Sequence, residues 1–215
     1  NPDPSTIKNL MELNKAKDFN ALDKRLDEQL KLYPSSTILN NLKGTTLASL
    51  NKFEESIESF NSALENSENP EMIFNNIGVS QIKLNRLEEA LESFRSAIEI
   101  NPNHYQAHFN SATAYRGKGE IKEAIKSYDQ ALEINPEYAK ALCYKSLSLK
   151  NLGNFEEAIS TAKESIRVKP DYGMAHRHLS SMLNYSEKNN SHLLEMESVY
   201  KEELTSQEDR MHIAF

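Results

Sequence analysis

The sequence predicts an all-α protein, a right-handed α-α superhelix of six helix hairpins followed by the start of a seventh. Three observations carry that expectation. The first is a set of residue columns that share one period. Pro34, Pro102, Pro136 and Pro170 are separated by multiples of 34 residues, and Phe19, Phe53, Leu87, Ile121 and Phe155 recur every 34. Ser56, Ala90, Ala124 and Ala158 form a third column, Phe60, Phe94 and Tyr128 a fourth, and Ala63, Ala97 and Ala131 a fifth. Independent columns with a common period mark stacked supersecondary units. The second observation is that apolar residues inside each period follow helical spacing rather than alternation. The third is punctuation: 6 glycines and 7 prolines are too few for a turn-rich chain, and they fall at regular places.

Within 105–138, Ala112 and Tyr115 share one stripe, and Ala124, Ile125, Tyr128, Ala131 and Leu132 share a second. Between them, Gly117-Lys118-Gly119-Glu120 has the backbone freedom to end one helix and turn into the next. After the second stripe, Asn135-Pro136 stops the helix, because proline removes a donor and restricts the residue before it. The small residues Ala124 and Ala131 flank Tyr128 on one face, so a neighbouring helix can come close while the ring fills the space beside them.

Composition bounds the function. Of 215 residues, 38% are apolar and 27% charged, and the formal charge is −7. An acidic balance argues against a general nucleic-acid binder, which needs surplus cations to displace counterions from phosphates. No apolar run reaches the roughly 18–20 residues that cross a bilayer, so no membrane partner is expected. The opening Asn1-Pro2-Asp3-Pro4 has no signal-peptide character, and the absence of an initiator Met suggests that some N-terminal sequence was removed. One cysteine, Cys143, excludes an internal disulfide framework and suits a reducing compartment; the expectation is a cytoplasmic protein.

The segment Phe74-Asn75-Asn76-Ile77-Gly78, then Leu87-Glu88-Glu89-Ala90, Phe94, Ala97 and Pro102, resembles the tetratricopeptide repeat in its aromatic, Leu-Gly, Ala, aromatic, Ala and Pro positions. The register reads 3–36, 37–70, 71–104, 105–138, 139–172 and 173–206, as one domain over 1–215. Ala112 and Ser146 stand where the motif prefers glycine. The first unit departs most, with Leu22 and Gln29 replacing the two alanines, and the last has His192 at the first alanine position. A truncated seventh unit is expected from Gln207, with Ile213 and Ala214 at its inward positions. That interrupted helix suggests a fragment of a longer polypeptide and offers a surface for self-association.

The stretch His176-Arg177-His178-Leu179, Leu193-Leu194-Glu195-Met196-Glu197 and 206–215 is similar to the repeat region of bacterial proteins in which tetratricopeptide repeats precede a sulfotransferase domain. That resemblance implies an alternative role, the substrate-presenting arm of a larger sulfotransferase whose catalytic domain lies outside this chain.

No set of residues builds an active site, and no cofactor is expected. The six glycines all have repeat roles, which leaves no phosphate loop. His104 and His108 could share a helix face, but the simpler reading is a loop histidine beside a packing histidine. His176 and His178, two apart, point in nearly opposite directions and do not chelate one ion. Cys143 lacks a base that the sequence can identify. The pairs Glu54-Glu55, Glu88-Glu89 and Glu156-Glu157 recur at the start of second helices, where negative charge complements the helix dipole. Neither a metal site nor a catalytic residue is assigned.

By the geometry that the family resemblance implies, the first helices supply a concave wall through repeat positions 2, 5, 6, 9, 12 and 13. Those positions hold Asn41, Leu42 and Thr45, then Met72, Asn75, Asn76, Val79, Ile82 and Lys83. Gln106, Phe109, Asn110, Thr113 and Arg116 follow, then Lys140, Tyr144, Leu147 and Lys150, and finally Arg177 and His178. No Asp or Glu occurs in this set despite the acidic chain. The expected function is a non-catalytic scaffold whose groove takes a protein or peptide of acidic character. Amides bond its main chain, Phe109 and Tyr144 take apolar groups, and Arg116, Lys140, Lys150 and Arg177 meet carboxylates or phosphates. The clamp of chaperone-binding relatives is disfavoured, because Asn41/Thr45, Asn75/Val79 and Phe109/Thr113 replace its Lys/Asn pair, and Lys140 is followed by Tyr144 rather than Arg.

Overall fold

The computed structural model describes residues 2–183, 191–201 and 209. Among the described residues there are twelve α-helices and no strand. They pair as hairpins: α1 (Pro4–Lys15) with α2 (Phe19–Leu32), α3 (Thr37–Ser49) with α4 (Phe53–Leu64), and α5 (Pro70–Lys83) with α6 (Leu87–Ile100). Then come α7 (Tyr105–Gly117) and α8 (Ile121–Ile134), α9 (Ala139–Asn151) and α10 (Phe155–Val168), and α11 (Gly173–Ser180) and α12 (Ser191–Lys201). The seventh unit expected from Gln207, with Ile213 and Ala214, lies outside the described residues apart from Asp209. The chain divides into two compact units, Asn1–Ala114 and Tyr115–Phe215, and the division falls within α7.

Helix starts follow local chemistry. Pro4 opens α1, and the Asp3 carboxylate accepts from the backbone N–H of Ser5 and Thr6 at 2.9 and 3.1 Å. Hydroxyl hydrogen bonds from Ser5 and Thr6 hold that carboxyl well below its ordinary range. Asp18 caps α2 by accepting from the Ala21 N–H at 3.1 Å. The carboxylates of Glu54, Glu55, Glu88, Glu89, Glu156 and Glu157 are exposed in the first turns of α4, α6 and α10, at the positive ends of those helices.

Each hairpin turn from the first to the fifth places one residue in the left-handed region: Lys17 (φ 56°), Asn51 (60°), Asn85 (59°), Gly119 (79°) and Gly153 (82°). Of the two glycines assigned to the fourth turn, Gly119 makes it, whereas Gly117 is the last residue of α7. One left-handed residue suffices to reverse the chain.

First and second helices differ in how much of their girth they bury. The second helix α8 buries a single stripe of Ala124, Ser127, Tyr128 and Ala131. The first helix α9 buries Ala139, Ala141, Leu142, Cys143, Ser146, Ser148 and Leu149, all round, because neighbours cover it on several sides.

In the unit Asn1–Ala114, Leu10, Leu22, Leu26, Leu39 and Leu42 form the first core cluster. Leu22, which replaces the usual alanine, is fully buried there. Gly44 and Gly78 face aromatic rings closely: a Cβ on Gly44 would stand 2.6 Å from Phe60, and one on Gly78 2.5 Å from Phe94. In the fifth repeat the same two places hold Ser146 and Ala162, so a larger first residue accompanies a smaller second one. Where Ser56 or Ser146 replaces an alanine or glycine, its hydroxyl donates to the backbone of the facing helix, at Gly44 O (2.8 Å) or Ala158 O (2.7 Å).

Side chains also tie helices to the loops before them. Asn40 Nδ2 donates to Pro34 O at 2.8 Å, His108 Nε2 to Pro102 O at 3.0 Å, and His176 Nε2 to Pro170 O at 2.7 Å. All three occupy the fourth place of their repeat, where the family prefers a large apolar residue. A buried polar side chain stands there because the preceding proline's carbonyl satisfies it. No described helix is long and apolar enough to cross a membrane.

Candidate functional site

In the unit Asn1–Ala114, α5 and α7 bring two of the expected groove amides together: Asn110 Nδ2 donates to Asn75 Oδ1 at 2.8 Å. Asn75 is the fifth residue of its repeat and Asn110 the sixth of the next, 35 positions on. Asn41, Asn76 and Gln106 are half-buried on α3, α5 and α7. Phe109, expected to meet apolar groups of a ligand, is buried at 4% exposure, so its ring packs inside the fold rather than projecting from it. The Thr113 hydroxyl donates to Phe109 O at 3.1 Å within the same helix.

In the unit Tyr115–Phe215, the guanidinium of Arg116 lies 5.1 Å from the centroid of the Tyr144 ring, joining α7 to α9 by a cation–π contact. Lys150 Nζ donates to Ser181 Oγ at 2.8 Å. Lys140 and Arg177 are exposed on α9 and α11. Cations at the seventh place of a repeat behave differently. Lys145 reaches Asp129 at 2.7 Å and Glu157 at 3.6 Å, and Lys43 reaches Asp23 at 2.7 Å and, closely, Asp27. Burial opposes the charge on Lys43, but hydrogen bonds to Asp23 and Asp27 outweigh it and raise its pKa. Those two lysines hold hairpins to their neighbours.

His178 Nδ1 lies 3.4 Å from Cys143 Sγ, again 35 residues apart. This histidine beside the thiol was not identifiable from the sequence, because the pairing follows from repeat stacking and not from any local motif. The thiol is fully buried, and burial pushes its pKa up to about 12, so the nucleophilic thiolate is strongly disfavoured. His178 therefore completes packing against a protonated thiol.

The other histidines among the described residues have structural partners. His104 Nδ1 accepts from the Ala107 N–H at 3.2 Å at the start of α7, and burial lowers its pKa. His176 and His192 stack, ring centroids 5.3 Å apart and planes at 10°, with His176 Nδ1 and His192 Nε2 separated by 3.1 Å. His192 fits the alanine position because the imidazole of His176 presents a flat face to it. Among the described residues, no group of three or more His, Cys, Asp or Glu side chains is arranged to hold a metal ion.

Paired helices recurring every 34 residues, with glycine against ring and proline after the second helix, define a helix-hairpin repeat protein. Family models described as "Tetratricopeptide repeat" match residues 39–70, 75–139 and 127–160. The chain thus carries tetratricopeptide repeats. It is similar in fold to MamA from Desulfovibrio magneticus RS-1, at 15% identity over 77% of this chain and 93% of that one, with a TM-score of 0.68. YrrB, described as a TPR protein with an unusual peptide-binding site, matches at 22% identity over 81% of this chain and 90% of that one, with a TM-score of 0.61. TTC0263, a thermophilic TPR protein of Thermus thermophilus, matches at 18% identity over 83% and 97%, with a TM-score of 0.64. No curated protein matches the chain. None of these matched proteins is described as a sulfotransferase. Of the residues that carried that resemblance, the stretch 206–215 lies outside the described residues except for Asp209.

Proposed function

We propose that this chain is a non-catalytic scaffold that docks an extended protein or peptide segment against the wall of its first helices, and that residues 115–215 receive an acidic stretch of it. The carrying observation is the distribution of charge. Every wall position lacks Asp and Glu, while Arg116, Lys140, Lys150 and Arg177 stand there. Arg116 is laid over Tyr144, an arrangement that presents a planar fork to a carboxylate at little entropic cost. Lys43 and Lys145, which pair with carboxylates inside the fold, stand at the seventh place of their repeats and not at a wall position. The likeness to YrrB, described as having a peptide-binding site, supports the same class of ligand.

Fluorescence anisotropy of labelled acidic and basic peptides at two salt concentrations tests this reading. Acidic peptides bind, and more weakly at high salt because exposed charges are screened. Lys140→Glu together with Arg177→Glu abolishes that binding. A preference for basic peptides would overturn the assignment.

A further inference from the structure

A cleft of about 610 Å³ opens between the second and third repeats, lined by Ile38, Asn41, Met72 and Ile73 together with Ser35, Thr37 and the polar loop 66–69. Its origin is a local break in the period. The proline found at 34, 102, 136 and 170 is replaced here by Glu68, and a proline appears instead at Pro70, where it opens α5. The second helix is cut back as well: α4 has 12 residues where α2, α6, α8 and α10 have 14. The tie that secures the loops before α3, α7 and α11 is also missing. Phe74 occupies the place of Asn40 and His108 and has no polar atom to offer a loop carbonyl. Shortened helix, displaced proline and untied loop together leave the space.

Two features of its lining are those of a binding site. Ile38 and Met72 stand at the second place of consecutive repeats and are 50% and 57% exposed, so the cleft has two apolar sides. Asn41 Oδ1 is buried with no hydrogen-bond partner. Its counterpart one repeat on, Asn75 Oδ1, is satisfied by Asn110, but Asn76, at the corresponding offset, does not supply Asn41. A buried acceptor without a donor is costly, and a turn of the amide toward an incoming donor would break no bond to that oxygen.

We infer that this cleft is an anchoring subsite for an apolar side chain, of leucine or methionine size, on an extended segment of a protein partner whose main-chain N–H donates to Asn41. The inference rests on the reading that the chain docks an extended segment. Leucine or methionine fits because Met72 is unbranched and adapts to the shape placed against it. An acidic residue is refused because Glu68 stands on the rim. The cleft therefore selects a different part of the ligand from that received by the cations of residues 115–215.

The test uses the full chain with ¹³C-labelled methionine methyls and two probes at millimolar concentration, N-acetyl-leucine N-methylamide and N-acetyl-aspartate N-methylamide. The leucine probe shifts the Met72 methyl and the aspartate probe does not. Asn41→Leu weakens the leucine probe roughly tenfold, the effect of losing one well-made hydrogen bond, whereas Asn41→Asp, which keeps an acceptor, retains it. Ile38→Ser, at an exposed position that leaves the core intact, weakens it too. No Met72 response, an equal response to both probes, or unchanged affinity in Asn41→Leu would each overturn the subsite. If acidic peptides fail to bind while the leucine probe still shifts Met72, the charge reading falls and the subsite stands. The converse result removes the subsite alone.

Discussion

The side-chain amide of Asn110 donates to that of Asn75 across 2.8 Å, linking α7 to α5 between consecutive repeats. The pair is part-buried, so each amide left alone would lose a partner that water replaces incompletely. Asn110→Ala is expected to cost about 1 kcal/mol in urea denaturation, and Asn75→Ala a similar amount. The double variant should cost less than the sum of the two. Strict additivity would mean that the link contributes nothing.

Glycine and ring sizes are coupled between α5 and α6. Gly78→Ala forces a Cβ to 2.5 Å from Phe94, so overpacking is expected to destabilise by about 1–3 kcal/mol. Phe94→Ala leaves a cavity at a fully buried site and should cost roughly 3–5 kcal/mol. Combining the two imitates the small residues of the fifth repeat and should be milder than the sum, as read by thermal melts.

Lys17 adopts φ 56° at a place where other repeats use asparagine or glycine. Its side chain bears the steric cost of the left-handed region, which glycine avoids. Lys17→Gly is therefore expected to raise stability by about 0.5–1 kcal/mol, after allowing for the greater freedom of glycine in the unfolded chain. A lower melting temperature would contradict it.

The stacked histidines predict acid sensitivity of the C-terminal hairpin. His176 Nε2 must donate to Pro170 O, which leaves its Nδ1 to accept from His192 Nε2. Burial, then the neighbouring His176 and Lys163, hold His192 at about 4 against an ordinary 6.5. With the folded pKa depressed, the unfolded chain binds the extra proton. Stability is therefore complete above pH 6.5 and declines as pH falls toward 4, by at most about 3 kcal/mol. Hydrogen exchange in α11 should accelerate over that window, and His192→Ala should flatten the profile.

The repeat period disclosed the hairpins because each column answers a demand that recurs in unit after unit. Proline after the second helix and a small residue against a ring are local requirements, legible one unit at a time. The expected wall is a set of sequence positions. Its connections were not legible there: Asn75 with Asn110 and Cys143 with His178 sit 35 residues apart, one more than the period, because a side chain at the fifth place meets the sixth place of the next repeat. The buried state of Phe109 was equally hidden, since wall position alone does not tell how deeply a ring sinks.

Helix pairs every 34 residues, acid-free positions along the first helices and carboxylate pairs at second-helix starts are written in the order of the residues alone, because helical periodicity and the cost of burying charge act within each unit. Which wall groups satisfy one another, and which stay without a partner, is settled by packing. Hydrogen bonding and burial depend on atomic separations between neighbouring repeats, so the orphaned oxygen of Asn41 and the cleft above it emerge only when the helices meet.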